Sequence, residues 1–466
     1  MSGLDVVIMK LPTFEPYKIK MTEPVYTSSR EEREKWIRDA SFNVFNLKSE
    51  QVIIDLLTDT GTGAMSDRQW SAMLTGDESF AGSSSYQNLT KVVTGMTGFP
   101  WVIPAHQGRA AENILFSTLI KEGDIVPGNL LFDTLTGQIE FRKAIPVDCT
   151  IKEANDLYSW FPFKGNLNLA KLDDIIRNNP LEKISCIIIS ITNNSAGGQP
   201  VSMENLRGVR GIADKYGIKV FLDAARFAEN AFFIKSRETG YAEKSIREIA
   251  FEMFSYADGM MMSAKEDALV NTGGFTAYRD EELFRKASGF NIIYEGFTTG
   301  GGMSGRDMNA MATGLTEAID PEYLKARMNQ ISFLGSKLME YGIPVIEPFG
   351  GHAVYIDAER FLPMVPKEEF PAQVLVCEIY IEGGVRVSEV GTLMANRNPV
   401  TRENRYPLNE FVRLAVPRRV YSDNHMAYVA AVVKNVFNRK GNINKGYRIK
   451  KEEPILRQFT LELEAI

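Results

Sequence analysis

The chain has 466 residues, of which 44% are hydrophobic and 24% are charged, so it is long enough to bury one large core and a smaller second one. Its formal net charge of −6 argues against nucleic acid or an anionic membrane surface as the main partner. Neither a secretory leader nor a bilayer-spanning apolar run is predicted. The three cysteines lie far apart, which is typical of free thiols in a reducing compartment, and we expect a cytoplasmic protein.

Residues 1–60 read as an arm, a short helix and a short strand that belong to a small domain. Ser29 with Glu32 three positions later is a capping box, which predicts a helix through Ala40. Val52 to Leu57 predicts a strand that leads into the loop Thr58-Asp59-Thr60-Gly61-Thr62-Gly63. A loop of this kind can bend around a small anionic ligand, although hydroxyl-rich turns are usually only turns.

Residues 61–320 alternate apolar strands with amphipathic helices, which predicts a large α/β domain. The stretch His106 to Arg109 precedes a helix with an apolar face. Gly108 and Arg109 therefore stand at a helix N-terminus, where free N–H groups and the helix dipole attract a phosphate.

Three apolar runs in this domain predict neighbouring strands of a parallel sheet: Ile184–Ile191, Ile218–Leu222 and Met260–Met262. The carboxyl ends of parallel strands share one edge, where open α/β proteins bind ligands. Taken alone, the last run is more simply a strand that enters a solvated turn. The polar residues that follow the runs are Asn194, Asp223, Arg226, Ser263, Lys265 and Glu266.

Two charged residues in apolar surroundings call for partners. Asp223 follows an apolar strand, and a protonated ring nitrogen would serve as its partner. Arg413 interrupts the apolar run Phe411–Val416, in the small α+β domain predicted for residues 321–466. Its partner is either a substrate carboxylate, held by two parallel N–H bonds, or a structural Asp or Glu.

The chain resembles the tryptophanase and tyrosine phenol-lyase family of pyridoxal-phosphate β-eliminating lyases over nearly its whole length. The resemblance is carried by Leu56-Leu57-Thr58-Asp59, Ala64-Met65-Ser66-Asp67, Gly76-Asp77-Glu78, His106-Gln107-Gly108-Arg109, Ser195-Ala196-Gly197-Gly198-Gln199-Pro200-Val201-Ser202, Ala225-Arg226-Phe227-Ala228-Glu229-Asn230, Gly350-Gly351-His352-Ala353 and Val412-Arg413-Leu414. It implies the aspartate-aminotransferase-like fold (pyridoxal-phosphate fold type I), with a small domain built from both chain ends. It also implies a homotetramer of dimers, with active sites at the dimer interface.

The resemblance assigns roles to residues by position. Those implied for the cofactor are Gln107, Gly108, Arg109, Phe132, Asn194, Asp223, Arg226, Ser263 and Lys265. Those implied for the substrate are Thr58, Thr60, Asn194 and Arg413, with Val390 and Gln458 at selectivity positions. Gly61, Glu78 and Asn271 match the positions that bind an activating monovalent cation, which in this family is potassium.

The sequence departs from the family at the catalytic centre. Glu266 occupies the position of the lysine that binds the cofactor covalently, and a carboxylate cannot condense with an aldehyde. Phe80 replaces the tyrosine that acts as general acid, and it has no proton to give. Adjacent residues on an extended segment point to opposite sides, so Lys265 would need a local backbone change to substitute. Val390 and Asp133 follow the tryptophanase pattern, which favours that branch of the family.

Three hypotheses about function stay open. In the first, the chain is a working pyridoxal-phosphate lyase that acts on an amino acid by β-elimination or carbon–carbon cleavage, with Lys265 as the anchoring amine. In the second, it holds pyridoxal or pyridoxamine phosphate without a covalent link, or another ligand, and uses Glu266 as an acid or base. In the third, it is a non-catalytic relative. The number of retained polar groups favours the first two.

Overall fold

A computed structural model describes residues 13–466, in which a large seven-stranded sheet and a smaller second unit lie side by side. The strands are β1 (Ile54–Asp55), β2 (Trp101–Ala105), β3 (Ile125–Gly128), β4 (Ile145–Asp148), β5 (Ile187–Ser190), β6 (Val220–Asp223), β7 (Gly259–Ser263), β8 (Gly274–Tyr278), β9 (Ala353–Asp357), β10 (Val385–Arg386), β11 (Ser388–Val390), β12 (Phe411–Ala415), β13 (Tyr447–Lys451) and β14 (Glu462–Ala465). The helices are α1 (Arg30–Asp39), α2 (Asp67–Leu74), α3 (Ser84–Thr97), α4 (Gly108–Leu119), α5 (Asp133–Phe141), α6 (Leu169–Arg177), α7 (Met203–Tyr216), α8 (Phe227–Arg237), α9 (Ile246–Ser255), α10 (Glu281–Tyr294), α11 (Gly305–Ala318), α12 (Pro321–Glu340), α13 (Ala358–Phe361), α14 (Pro371–Gly383) and α15 (Asp423–Asn438).

The large sheet has the strand order β2-β8-β7-β6-β5-β3-β4, and only β8 runs antiparallel to its neighbours. The predicted α/β class with a mainly parallel sheet is therefore confirmed. The three apolar runs form the adjacent strands β5, β6 and β7, so their polar followers meet at one edge of the sheet.

A second core is built from both ends of the chain. It combines apolar residues between 37 and 57 with others between 331 and 463, around the antiparallel sheet β11-β12-β9. Helix α12 joins the cores, because Leu324 packs in the first and Leu334 in the second. The domain limits near residues 60 and 320 stay a prediction, and α12 crosses from one core to the other just after residue 320.

Local signals in the sequence explain most element boundaries. The capping box of Ser29 and Glu32 begins α1, and Asp320 caps α12, in which Pro321 is the first residue. The predicted strand Val52–Leu57 is wrong in length, because only Ile54 and Asp55 pair, with the two-residue strand β10. Among residues 13–466, no helix is both long and apolar enough to cross a membrane.

Candidate active site

A cavity of about 310 Å³ opens at the carboxyl ends of β5, β6 and β7 and is closed by residues from the second unit. The sequence-predicted residues that line it are Thr58, Thr60, Gln107, Gly108, Arg109, Phe132, Asp133, Asn194, Asp223, Arg226, Ser263, Lys265, Glu266, Arg413 and Gln458. The tertiary structure thus brings together residues that are separated by up to four hundred positions in the chain.

One end of the cavity, which we call the cationic end, consists of Gly108, Arg109, Ser263 and Lys265. Helix α4 begins there without a side-chain cap, so its first N–H groups face the cavity region unpaired. A Cβ on Gly108 would lie 2.5 Å from the Cβ of Ser263, so only glycine allows this close approach.

The polar side chains of the cationic end lack protein partners. The buried Oγ of Ser263 has no hydrogen-bond partner, and within residues 13–466 Arg109 and Lys265 form no ion pair. Arg109 instead lies over the ring of Phe459, 5.0 Å from its centre. Burial lowers the pKa of Lys265, the Glu266 carboxylate opposes this, and the positive charge of Arg109 adds to it. Two neighbouring cations that form no ion pair are suited to a multiply charged anion.

Asp223 lines the cavity at the end of β6. The Ser190 hydroxyl donates to it at 3.1 Å. Burial raises the pKa of Asp223 to about 6, Arg226 opposes the rise, and the negative charge of Glu266 adds to it. A cationic partner stabilises the ionised form of such a buried carboxyl. A protonated ring nitrogen is the partner that the sequence predicts for Asp223.

Arg413, whose surroundings we call the arginine end, belongs to β12 and lines the cavity. Its guanidinium donates to Ser388 Oγ at 3.1 Å, to Asn194 Oδ1 at 3.2 Å and to the carbonyl of Leu57 at 3.1 Å. All three acceptors are uncharged, so the structural-acid alternative for Arg413 does not hold. The guanidinium also lies 5.7 Å from the ring centre of Phe132. Its charge is therefore free for a ligand carboxylate.

Lys265 and Glu266 lie in a turn, residues 264–268, and not in an extended segment as the sequence argument assumed. The N–H of Ala268 donates to the carbonyl of Ala264 at 3.1 Å, which coils the backbone directly after β7. Because of this turn, both residues line the cavity. Thr60 Oγ1 donates to Glu266 Oε1 at 2.6 Å, whereas Lys265, its neighbour in the chain, forms no ion pair with Glu266 among the described residues.

A network of buried ion pairs, which we call the paired network, fixes the loops around Glu266. Asp59 receives two bonds from Arg226, at 3.1 and 2.7 Å, and one from Arg418 at 2.7 Å. Arg418 also pairs with Glu229 at 2.7 Å and with Asp267 at 3.0 Å. Asp59 belongs to the loop of Thr58 and Thr60, and Asp267 belongs to the turn of Glu266. Arg226, which the resemblance implies for the cofactor, lines the cavity. Its guanidinium donates two hydrogen bonds to Asp59.

Some predicted residues lie outside the cavity. Phe80 is 81% exposed and stacks on Phe297, with 5.5 Å between ring centres. Val390 is buried in a separate apolar cluster with Tyr355 and Phe411.

Of the predicted cation ligands, Gly61 and Asn271 contact each other, and Glu78 contacts a different segment. Asn271 Nδ2 donates to the carbonyl of Gly61 at 2.9 Å. Glu78 accepts the N–H groups of Gly305 and Arg306, at the start of α11. In the part of the chain that the structure describes, no group of three or more His, Cys, Asp or Glu side chains is arranged to hold a metal.

The sequence argument missed Glu112, which also lines the cavity. It follows Gly108 by four positions on α4, so helical spacing places both on one face, and this spacing was the available signal. Thr134 Oγ1 donates to it at 3.1 Å. Burial raises the pKa of Glu112 to about 8, the charge of Asp223 adds to this, and Arg109 opposes it.

The fold and the cavity define the class of protein, an α/β enzyme of pyridoxal-phosphate fold type I. A family model described as "Beta-eliminating lyase" matches residues 55–432. The chain belongs to the β-eliminating lyase family, whose relatives are amino-acid lyases by name. Among solved structures, the threonine aldolase of Leishmania major covers 82% of this chain and 99% of its own, with a TM-score of 0.59 and 14% identity, which supports the fold alone.

Curated relatives match nearly the whole chain. A Trichomonas vaginalis protein named "Probable beta-eliminating lyase" is 56% identical, over 98% of this chain and 100% of its own. The tyrosine phenol-lyase of Symbiobacterium thermophilum is 49% identical, with the same two coverages. The tryptophanase of Salinibacter ruber is 47% identical, over 96% of this chain and 95% of its own. These identities do not separate the two branches, so the tryptophanase-like assignment stays a prediction from Val390 and Asp133.

Proposed function

We propose that this chain is an amino-acid lyase that holds a vitamin B6 phosphate ester without a covalent link and uses Glu266 as an acid or base. The observation that carries the proposal is the charge pattern of the cavity. Cations without an ion-pair partner, the carboxylate of Asp223 and the guanidinium of Arg413 all line it. Phosphate, ring nitrogen and substrate carboxylate would each meet the opposite charge.

The residues present fit the phosphate of such a cofactor. The unpaired hydroxyl of Ser263 and the uncapped start of α4 supply donors, and Arg109 and Lys265 supply charge. Asp223 fits the ring nitrogen, and Phe132 offers an aromatic face in the cavity. When bound, the cofactor supplies an electron-withdrawing ring that acidifies the α-carbon of an amino acid.

Glu266 is suited to hold a proton at the reacting carbon. Its Oε1 is fixed by Thr60, while its buried Oε2 has no hydrogen-bond partner among residues 13–466. A general base has to be oriented and must keep one site free for the proton, and both conditions apply here. Arg413 would orient the substrate through its carboxylate, since its charge has no acidic partner.

Lys265 is the alternative anchor, because the turn brings it into the same cavity. Its pKa responds to Arg109, which associates the amine with the cationic end, and this favours a role in binding phosphate. The two roles differ in one measurable property. Covalent attachment through Lys265 would survive borohydride reduction and dialysis, whereas a cofactor held by charge would leave.

The test starts from purified protein titrated with pyridoxal 5′-phosphate. Saturable binding that is lost on dialysis after borohydride treatment is expected, and Arg109→Ala should weaken it. Release of pyruvate from tyrosine, tryptophan and smaller β-substituted amino acids is then assayed for the native chain and for Glu266→Gln. We expect release by the native chain and at least a hundredfold loss in the variant. Cofactor binding with no turnover of any amino acid would favour the non-catalytic hypothesis.

The same proposal includes a homo-oligomer. Phe80 and Phe297 form an exposed aromatic pair, and Ile293 is 74% exposed. Exposed apolar groups of this kind are typical of subunit interfaces. Light scattering of the purified chain should give a dimer or tetramer mass.

Buried free thiols at Cys149, Cys186 and Cys377 support a reducing, cytoplasmic location. Dependence of activity on potassium over sodium would test the cation site of Gly61, Glu78 and Asn271.

A further inference from the structure

Glu112 is an acid of the cavity wall that has no cationic partner. It lies on helix α4, one turn after Gly108 and three residues after Arg109, so helical spacing places it near the cationic end. Its Oε1 accepts a hydrogen bond from the neutral hydroxyl of Thr134 at 3.1 Å. Its buried Oε2 has no hydrogen-bond partner among residues 13–466, and the side chain forms no ion pair there. A buried oxygen without a donor favours the uncharged form of a carboxyl group.

The charged groups around Glu112 act in the same direction. Three of them bear on its carboxyl: the acids Asp223, at the end of β6, and Asp133, at the start of α5, and the cation Arg109 on its own helix. Strands β2, β7 and β8 also pack against α4 and carry no Asp, Glu, Lys, Arg or His, and the charged residues of α10 are exposed. Burial and the charge of Asp223 raise the pKa of Glu112 to about 8 against the charge of Arg109. The carboxyl therefore holds a proton at neutral pH.

The proton on Glu112 decides how much positive charge the cationic end offers. While Glu112 is neutral, the charges of Arg109 and Lys265 are both available to an anion. An ionised Glu112 would place a negative charge three residues from Arg109 on the same helix, where the two side chains are neighbours. It would also repel a phosphate group directly. A phosphate at this end therefore favours the protonated form of Glu112.

We propose that Glu112 is a further binding residue of this site, an acid that keeps its proton when a phosphate group is held at the cationic end. The proposal rests on the proposed function for the identity of the ligand, a B6 phosphate ester. It adds that binding of the phosphate is linked to one proton on the protein. A glutamine at this position would stay neutral at every pH, whereas Glu112 is neutral only while it is protonated.

The experiment measures how the affinity of the full-length chain depends on pH. Pyridoxal 5′-phosphate and inorganic phosphate are titrated by calorimetry from about pH 7.5 to 9.5, a range in which inorganic phosphate stays mainly dianionic. For the native chain we expect the affinity to fall above about pH 8, by up to about tenfold per pH unit. Binding near the upper end of the range should also take up a proton, seen as a heat that varies with the ionisation enthalpy of the buffer.

Two variants and a control assign the decline to Glu112. Glu112→Gln should bind both ligands at pH 7.5 and should lose part of the decline and the proton uptake. Lys265 and the pyridoxal ring also titrate at alkaline pH, but they are the same in both proteins, so the difference between the two curves belongs to Glu112. Glu122→Gln is the control, because Glu122 is exposed and pairs only with Lys143, and it should follow the native curve.

Thr134→Val tests the same proton from the other side. The hydroxyl of Thr134 stabilises the ionised form of Glu112, so its removal should raise the pKa of Glu112. The decline in affinity should then begin at a higher pH than in the native chain. This variant also decides the question if Glu112→Gln fails to fold by circular dichroism, since an unshifted decline would overturn the inference.

The outcomes separate this inference from the proposed function. If pyridoxal 5′-phosphate fails to bind and inorganic phosphate binds with the dependence on Glu112, the proposed function fails and the inference stands. If both ligands bind and the curves of the native chain and Glu112→Gln are parallel, only the inference is overturned. If neither ligand binds, both fail.

Discussion

Two sets of charged side chains, one in the loops around Glu266 and one lining the cavity, differ in one respect. In the paired network, the carboxylates of Asp59, Glu229 and Asp267 each lie within 3.0 Å of the Arg418 guanidinium. At the cavity itself, Arg109 and Glu266 have no oppositely charged side chain at ion-pair distance in the described chain. Charges that are paired inside the protein hold the fold, and charges that are left unpaired are available to a ligand.

The two sets are linked by the chain. Asp59 is adjacent to Thr60, which bonds Glu266, and Asp267 follows Glu266 directly. The network therefore fixes the position of the catalytic candidate without touching a ligand. It follows that changes in the network should affect stability first, whereas changes at the cavity should affect binding first.

The largest effect is expected from Arg418→Ala. This change leaves three buried carboxylates with lost partners, and breaking a buried ion pair typically costs about 3–5 kcal/mol. Urea unfolding of the purified chain should show a loss of this size. Arg448→Ala is the matched control, since Arg448 forms an exposed pair with Glu464 and should cost about 1 kcal/mol or less. Equal losses in the two variants would contradict the comparison.

The next effect is a pH dependence of the ligand-free protein. Asp223 has its pKa raised from 3.8 to about 6 by burial, so between these values the folded state holds a proton that the unfolded chain has lost. Its contribution to stability is present below pH about 4 and is lost as the pH rises through 6, on the order of 2–3 kcal/mol. Asp59 should act in the opposite sense, because Arg226 and Arg418 help to lower its pKa against burial.

This pH effect is measured as a difference between two stability curves. The native chain and Asp223→Asn are unfolded in urea from pH 4 to 8, and the variant should lose the decline that centres between pH 4 and 6. Addition of pyridoxal 5′-phosphate to the native chain should also flatten the decline, since its ring nitrogen would stabilise the ionised carboxylate. Parallel curves for both proteins would place the titration elsewhere.

Arg109→Ala should separate binding from stability. The guanidinium makes no ion pair in the described chain and lies over Phe459, so its removal should change unfolding free energy by about 1 kcal/mol or less. Loss of a charged contact to phosphate should weaken affinity for B6 phosphate esters roughly tenfold to a hundredfold. Calorimetry gives the affinity and urea unfolding gives the stability. A variant that is strongly destabilised but binds normally would reverse the assignment.

The smallest effect is expected from Thr60→Val, which removes the donor to Glu266 and keeps the shape. One hydrogen bond to a charged group is worth about 1.5–3 kcal/mol at most, and water entering the cavity would recover part of it. We expect a loss of about 1 kcal/mol in stability, measured by urea unfolding. Thr62→Val is the control, because Thr62 is exposed and bonds only the carbonyl of Thr58.

The periodic and capped parts of the chain were predictable, because their signals are local. The apolar runs before Asn194, Asp223 and Ser263 became adjacent strands, and Gly108 began a helix as its neighbours indicated. The turn that carries Lys265 and Glu266 was not predictable, because its backbone is fixed by distant groups. Asp267 accepts the N–H of Ala228 and a bond from Arg418, so the path of residues 264–268 depends on three separate segments.

By itself, the sequence determined the α/β class, the family resemblance and the replacement of a lysine by Glu266. Strand periodicity and residue identity can be read from short stretches of sequence without knowledge of the fold. Only the tertiary structure decided that Thr60, and not Lys265, is the partner of Glu266. It also decided that Arg413 has no acidic partner in the part of the chain that the structure describes. Which charges are paired is a property of distances between remote segments, and those distances exist only once the chain has folded.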